Sequence, residues 1–309
     1  MIKKILIIKH GALGDLIQTT SSLKSIRLKY PKTQITLLTD TKFKYFTANI
    51  PFVDQFIYEK RPSFLRLDLW SNIILKLVLK KFDLVFDLQN SDRTSIYHFF
   101  MKLFKPKILW SGNRRGGIYK YQPDNFEQIP IKDRIINQLK LIDVIVENKP
   151  DLDWMIKDNI KHLPIGKFVI LLPGSSIEHK YKRWPAEKFA EISNYLKEKN
   201  INSVILGQMI SEGDEINKIK LLSPTAIDCS DKDLSFLASL ADKASGAIGN
   251  DSGPAFIAAA VGCPITWLLS SHTNPNITQL VGSMVNILKK NNIAEITTEE
   301  VKNNLALRD

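Results

Sequence analysis

The chain has 309 residues, 44% of them hydrophobic, and a formal net charge of +11. That length suits about two soluble domains with sizeable cores, and no apolar run approaches the ~18 residues of a spanning helix. Two cysteines, Cys229 and Cys263, exclude a disulfide framework or a cysteine-built zinc site and read as small core residues in a reducing cytoplasm.

The N-terminal Met1-Ile2-Lys3-Lys4 resembles the start of a signal peptide. The apolar run Ile5 to Ile8 is short, however, and Lys9 and His10 follow at once, so a strand buried on both faces is expected. Lys9-His10-Gly11-Ala12-Leu13-Gly14-Asp15 then forms a tight loop. A helix runs from Asp15 to about Tyr30, stopped by Pro31, and a second strand spans Ile35 to Leu38: a βαβ opening. The loop lacks the G-x-G-x-x-G spacing of a dinucleotide site and the Gly-Lys-Ser/Thr of a Walker loop. Asp15 has two readings. It is a helix N-cap, or a functional carboxylate at the strand edge where α/β sheets bind ligands.

Residues 43–56 are irregular in pattern. Residues 64–82 predict a helix with a broad apolar face and a basic end, either core-facing or lying at a membrane interface. Strands follow at Asp83 to Leu88 and Ile108 to Gly112. Arg114, Arg115 and Lys120 form a candidate anion-contacting loop. A helix is expected over Arg134 to Val146, then a linker around Lys149-Pro150-Asp151.

A second α/β unit opens with strand Phe168 to Leu172 and the small-residue turn Pro173-Gly174-Ser175-Ser176, suited to phosphate. Basic residues Lys180, Lys182 and Arg183 precede a helix over Ala186 to Lys199. A strand over Ser203 to Leu206, helix Asp214 to Leu222, short strand Thr225 to Asp228 and helix Leu234 to Ala241 come next. Ser245 to Ile248 reads as a strand end that meets Gly249-Asn250-Asp251-Ser252-Gly253. Pro254 and an alanine-rich helix follow, closed at Gly262. Backbone N–H groups at that helix start suit an anion. Strand Ile265 to Leu269 and a final helix opened by the capping box Thr297-Thr298-Glu299-Glu300 complete the chain.

The charge is uneven. Residues 1–150 carry 26 lysines and arginines against 13 acids, and residues 151–309 carry 17 against 19. The first half favours a polyanionic partner such as an acidic membrane, a phosphorylated lipid or nucleic acid, or else it is a lysine-rich soluble surface. No helix-turn-helix or aromatic-rich basic motif accompanies it, so nucleic acid is not expected. The five histidines, His10, His98, His162, His179 and His272, show no metal-ligand spacing. Asp151-Leu152-Asp153 has the D-x-D pattern but falls in the linker, and no G-x-S-x-G elbow is present.

Four segments in this order resemble glycosyltransferase family 9, the bacterial heptosyltransferases that add heptose from ADP-heptose to the lipopolysaccharide inner core. They are Ile7 to Asp15; Leu172 to Ser176 with Lys182-Arg183-Trp184-Pro185; Leu234 to Asp242 leading into Gly249 to Pro254; and Ala258 to Pro264. The resemblance implies the two-domain GT-B fold: two Rossmann-like domains facing across a cleft, split near 1–150 and 151–309, with the last helix a candidate to pack back on the first. It implies an inverting, metal-independent transfer. Asp15 matches the general base and Lys182 the diphosphate-binding lysine. Gly174, Ser175, Ser176, Ser252 and Gly253 would complete the diphosphate contacts, and Asp251 would hold the sugar hydroxyls. Asp214 or Glu215 are candidate ribose contacts. Lys9, His10, Gly14, Arg114 and Arg115 are candidate contacts for a phosphorylated lipid A and core acceptor at the inner membrane. Two departures stand out. Phe256 replaces the family's usual histidine, and Ser271-His272-Thr273-Asn274-Pro275 replaces its Pro-Thr-Asp-Pro-like loop. They leave open a different donor sugar, or a nucleotide-sugar-binding protein that has lost catalysis.

Overall fold

A computed structural model describes residues 2–63, 65–113, 116–158 and 164–308. Its contacts divide the chain into two compact units, Met1–Pro150 and Asp151–Asp309. In the first unit the described elements are β1 (Lys4–Ile8), α1 (Leu13–Lys29), β2 (Gln34–Asp40), α2 (Lys44–Thr47), β3 (Gln55–Glu59), α3 (Leu67–Leu79), β4 (Leu84–Asp87), α4 (Asp92–Phe104), β5 (Leu109–Gly112), β6 (Tyr119–Lys120) and α5 (Ile131–Lys140). Its sheet runs β3-β2-β1-β4-β5-β6, with every pairing parallel. The second unit holds β7 (Phe168–Leu172), α6 (Ala186–Glu198), β8 (Asn202–Ile205), α7 (Met209–Leu222), β9 (Ile227–Asp228), α8 (Leu234–Lys243), β10 (Gly246–Asn250), α9 (Gly253–Ala260), β11 (Ile265–Leu269), β12 (Val285–Lys289) and α10 (Thr298–Asn303). Its sheet order is β12-β11-β10-β7-β8-β9, again all parallel.

Continuous apolar runs became the central strands. Ile5 to Ile8, the whole of β7 and the whole of β11 are buried, because helices cover both faces of such sheets. In each unit the strand order reverses beside the first strand, so β1 and β4 frame one switch point and β7 and β10 the other. Loops leaving the C-terminal ends of these strands are where an open α/β sheet presents its ligand groups.

Several boundaries differ from the sequence pattern. The helix expected over Arg134 to Val146 is α5, three residues earlier at its start and ended by Asp143 at φ +53°. α7, expected over Asp214 to Leu222, begins five residues earlier at Met209 and carries Gly213 inside it. β3 begins in the last two residues of the irregular stretch 43–56, pairs with β2 and runs on to a buried acid, Glu59, at a core position. α4 escaped notice because apolar residues surround it instead of following one stripe. The supposed linker is partly packed: Leu152 and Met155 are buried in the second unit, and the Lys157 N–H donates to Ser239 Oγ. The last helix packs on α6 of its own unit, where Lys302 and Thr298 both reach Glu191. Its capping box is formed by Thr297 and Glu300.

Candidate active site

At the C-terminal end of β1 the Lys9 N–H donates to the Leu38 carbonyl at 3.0 Å, carrying the sheet ladder one residue further. Gly11 then turns the chain at φ +127° with the Phe43 ring against its Cα, where any Cβ would collide. α1 starts at once. Its capping position is Ala12, with no side-chain cap, so Asp15 stands in the first turn without the capping duty that would compete with a role as base. Asp15 is about a quarter exposed, and its carboxylate lies 3.6 Å from the buried Lys9 ammonium. Gly14 is the second residue of the same helix.

His10 turns the other way. Its side chain is 1% exposed, and its Nε2 lies 3.0 Å from Glu59 Oε2. Tyr97 Oη donates to the same oxygen at 2.6 Å, and Arg93 donates to Oε1 at 2.6 Å. The His10 N–H donates to Gln89 Oε1 at 2.9 Å. Burial pushes the Glu59 carboxyl upward, but the hydrogen bonds from His10 and Tyr97 and the Arg93 charge outweigh it and hold the group below its usual range. Burial and the neighbouring Glu59 charge push the Tyr97 phenol up, keeping it a donor. The ring of His10, a candidate acceptor contact, thus lies in the core, where it ties the loop after β1 to Glu59. Lys9 is likewise buried and meets Asp15 instead of the surface. Arg114 and Arg115 lie outside the described residues.

In the second unit Asn250, fully buried at the end of β10, ties three segments together. Its Nδ2 donates to the Pro173 carbonyl at 2.7 Å, and its Oδ1 accepts from the Trp184 N–H at 3.1 Å. This places the turn after β7, the Lys182-Arg183-Trp184 segment and the start of α9 beside one another. Lys182 Nζ donates to Asp251 Oδ2 at 2.7 Å, and Thr273 Oγ1 donates to the same oxygen at 2.6 Å. An acid at an anion-suited helix start is thus neutralised by its own lysine. The Ser252 Oγ, at the capping position of α9, has no hydrogen-bond partner among the described residues.

The remaining candidates divide. Ser176 is exposed, whereas Ser175 is buried. The Ser175 hydroxyl donates to the His179 carbonyl at 2.9 Å and accepts from Arg183 Nε at 3.3 Å, so it is an internal strut and not a free ligand donor. Arg183 also donates to the Ser175 carbonyl at 2.9 Å and to Glu215 at 2.8 Å. Glu215 is thus engaged, and Asp214 sits on the exposed side of α7. A further carboxylate at the turns after β7 and β8 is Glu212, which the sequence pattern did not single out. It accepts from the Gln208 N–H at 3.0 Å and lies against both Gly174 and Gly207, where a Cβ on either glycine would collide with it. Burial raises its pKa despite that bond and the Arg183 charge. A pair of glycines ending adjacent strands, with an acid five residues after the second, was the signal available in sequence. Phe256 is buried and meets Trp267 edge-on at 6.0 Å between centroids. Beside the Lys182–Asp251 pair, the Tyr181 ring lies 4.5 Å from that of His272, and its hydroxyl is 3.0 Å from His179 Nδ1.

Comparison with known proteins agrees with this layout. The model of glycosyltransferase family 9 (heptosyltransferase) matches residues 70–306. Over 301 residues the chain is 26% identical to the lipopolysaccharide core heptosyltransferase OpsX of Haemophilus influenzae, covering 93% of this chain and 84% of that protein. Among solved structures, a family 9 glycosyl transferase from Veillonella parvula superposes with a TM-score of 0.79 at 20% identity, covering 98% of this chain and 96% of that one. The ADP-heptose lipopolysaccharide heptosyltransferase II of E. coli gives 0.74 at 16% identity, covering 97% of each chain. The two parallel α/β units are those of a GT-B fold, and the chain belongs to glycosyltransferase family 9, the heptosyltransferases.

Proposed function

We propose that this protein transfers a heptose or a related sugar, with inversion, from an ADP-sugar to the lipopolysaccharide core or a related surface glycan on the cytoplasmic side of the inner membrane. Asp15 in the first unit takes the proton of the acceptor hydroxyl as its oxygen attacks the anomeric carbon, and the bond from that carbon to the diphosphate oxygen breaks. The second unit holds the donor. Lys182 and the N–H groups at the start of α9 meet the negative charge that develops on the departing ADP, with Ser176 and Ser252 as further donors. In this reading fixed protein charge takes the place of a metal ion, so transfer proceeds in a chelator. Glu212, between the glycines that end β7 and begin the loop after β8, is our candidate for the ribose hydroxyls, ahead of Asp214 and Glu215.

The observation that carries the reading is the Lys182–Asp251 pair at 2.7 Å, set by Asn250 beside the unpartnered Ser252 hydroxyl at the head of α9. It is a cation oriented and ready at a helix N-terminus. The test is Asp15→Asn. Transfer from ADP-heptose to a lipid A–Kdo acceptor falls by 10²-fold or more, while calorimetric ADP binding is retained. A fully active Asp15→Asn protein would overturn the assignment, and ADP binding with no transfer by the unaltered chain to any core acceptor would favour a binding protein without catalysis. A different donor sugar is a second reading, favoured by Phe256 in the core and the Tyr181–His272 ring pair beside Asp251. Offering a panel of nucleotide sugars and identifying the product separates the two.

A further inference from the structure

We infer that the outer face of α3 and α4 is a docking surface for an anionic lipid bilayer. The two helices cover the same side of the first sheet: Trp70, Ile73 and Leu77 of α3 and Tyr97 and Met101 of α4 belong to one core cluster with Leu6, Ile8, Leu38 and Val85. A helix advances about 100° per residue, so the residue two positions on from a core contact points almost directly away from the sheet. Two positions on from Ile73, Leu77, Tyr97 and Met101 stand Leu75, Leu79, Phe99 and Leu103, 56%, 65%, 62% and 60% exposed, and two on from Trp70 stands the exposed Asn72. Phe104 and Leu67, at the ends of the two helices, are exposed as well. A helix whose second face meets water carries polar residues there. α6 of the second unit does, with Glu187, Glu191, Asn194 and Glu198 outward. On α3 the exposed Ser71, Asn72 and Lys76 share that side with Leu75 and Leu79, and with Phe99 and Leu103 of α4 these large apolar side chains mark an interaction site.

Charge identifies the partner. Residues 76–82 and 102–107, at the C-terminal ends of the two helices, contain six lysines and no acid. The ends are held together where Lys105 Nζ donates to the Phe82 carbonyl at 2.7 Å and to Asp83 at 2.9 Å. Leucine and phenylalanine entering the acyl boundary, with lysine stems reaching up to phosphate headgroups, is the pattern of an interfacial helix. A second copy of this chain meeting the same face would set lysine against lysine, which opposes such a dimer. Docked on this face, α3 lies along the bilayer for about 20 Å. Its N-terminal end follows β3, so it sits at the strand edge that also carries the Asp15 loop. A lipid-anchored acceptor would then meet the catalytic edge from the side, a consequence that rests on the proposed function, whereas the docking itself does not.

Vesicle flotation of the full chain, without donor or acceptor, tests the inference. Binding to phosphatidylglycerol–phosphatidylcholine vesicles is expected to exceed binding to pure phosphatidylcholine, and to weaken as salt is raised. Phe99→Glu with Leu103→Glu should lower it about tenfold or more, with melting temperature and ADP binding unchanged. Leu75→Gln with Leu79→Gln is the second variant, should the first fold poorly. Lys76→Glu with Lys107→Glu should remove only the preference for anionic lipid. Equal binding of both vesicle types, full binding by both apolar variants, or a dimer that these substitutions dissociate in the absence of vesicle binding would each overturn the proposal. Loss of glycosyl transfer with intact flotation would count against the proposed function and leave the docking surface standing.

Discussion

Glu59 offers the sharpest test of how the loop after β1 is held. Its carboxylate is 4% exposed and accepts from Tyr97 and Arg93, with His10 at 3.0 Å, so three segments of the first unit converge on one group. Glu59→Gln keeps the shape but removes the charge and turns one oxygen into a donor. One charge-assisted bond is worth roughly 1.5–3 kcal/mol, and a buried ion pair that loses one partner costs roughly 3–5 kcal/mol. The variant should therefore lose about 3 kcal/mol, a large share of a stability of typically 5–15 kcal/mol. Tyr97→Phe, losing one of the bonds, should cost about 1.5–3 kcal/mol. The double variant should fall short of the sum, because both changes strike the same oxygen. Urea unfolding supplies the energies, and hydrogen exchange read on peptides spanning residues 9–15 locates them. The pH dependence has a definite sign. The native Glu59 pKa lies below its ordinary value of 4.5, so its contribution is complete above 4.5 and is lost as pH falls through the lower native value. Glu59→Gln should flatten that acid limb. If Glu59→Gln costs less than about 0.5 kcal/mol and leaves exchange over residues 9–15 unchanged, the network does not anchor the loop.

Other expectations follow from the second unit. Gly174→Ala would drive the new methyl into the Glu212 carboxylate; a flexible side chain can swing away, so stability should drop by only about 1 kcal/mol while ADP affinity falls more than stability does, as calorimetry and melting would show. Lys182→Ala leaves Asp251 with the Thr273 hydroxyl but no counter-charge beside an anion-suited helix start, so ADP affinity should fall about tenfold or more by titration, and Lys182→Ala with Asp251→Ala should recover part of that loss. Trp184→Phe removes the indole N–H donated to the Ile296 carbonyl at 2.9 Å inside a fully buried site and should cost about 2–3 kcal/mol in urea unfolding. Cys263 is buried and its thiol is pushed up to about 12, mainly by burial, so a thiol reagent at pH 8 should label it only after unfolding.

Much of the architecture was legible before any coordinates. Ile5 to Ile8 and Phe168 to Leu172 are unbroken apolar runs, and only a strand covered on both faces uses such a run, so two parallel sheets followed. The glycine-bearing turns after them, and Pro254 opening an alanine-rich helix, marked where backbone N–H groups would face a ligand. Residue chemistry alone therefore determined where in the chain the turns at the strand ends would lie.

Which groups meet was decided by the tertiary structure. His10 and Lys9 read as surface contacts of a phosphorylated acceptor, because charge and polarity usually mean exposure. Glu59, 49 residues further along, supplies the carboxylate that draws His10 inward, and no local pattern records a partner at that distance. Asp251, an acid beside a helix N-terminus, has its counter-charge in Lys182, 69 residues before it and 2.7 Å away. Side-chain period reports which face of an element is buried. It carries no account of which strand ends the crossover connections bring side by side, and in this protein those neighbours fix the partners of His10 and Asp251.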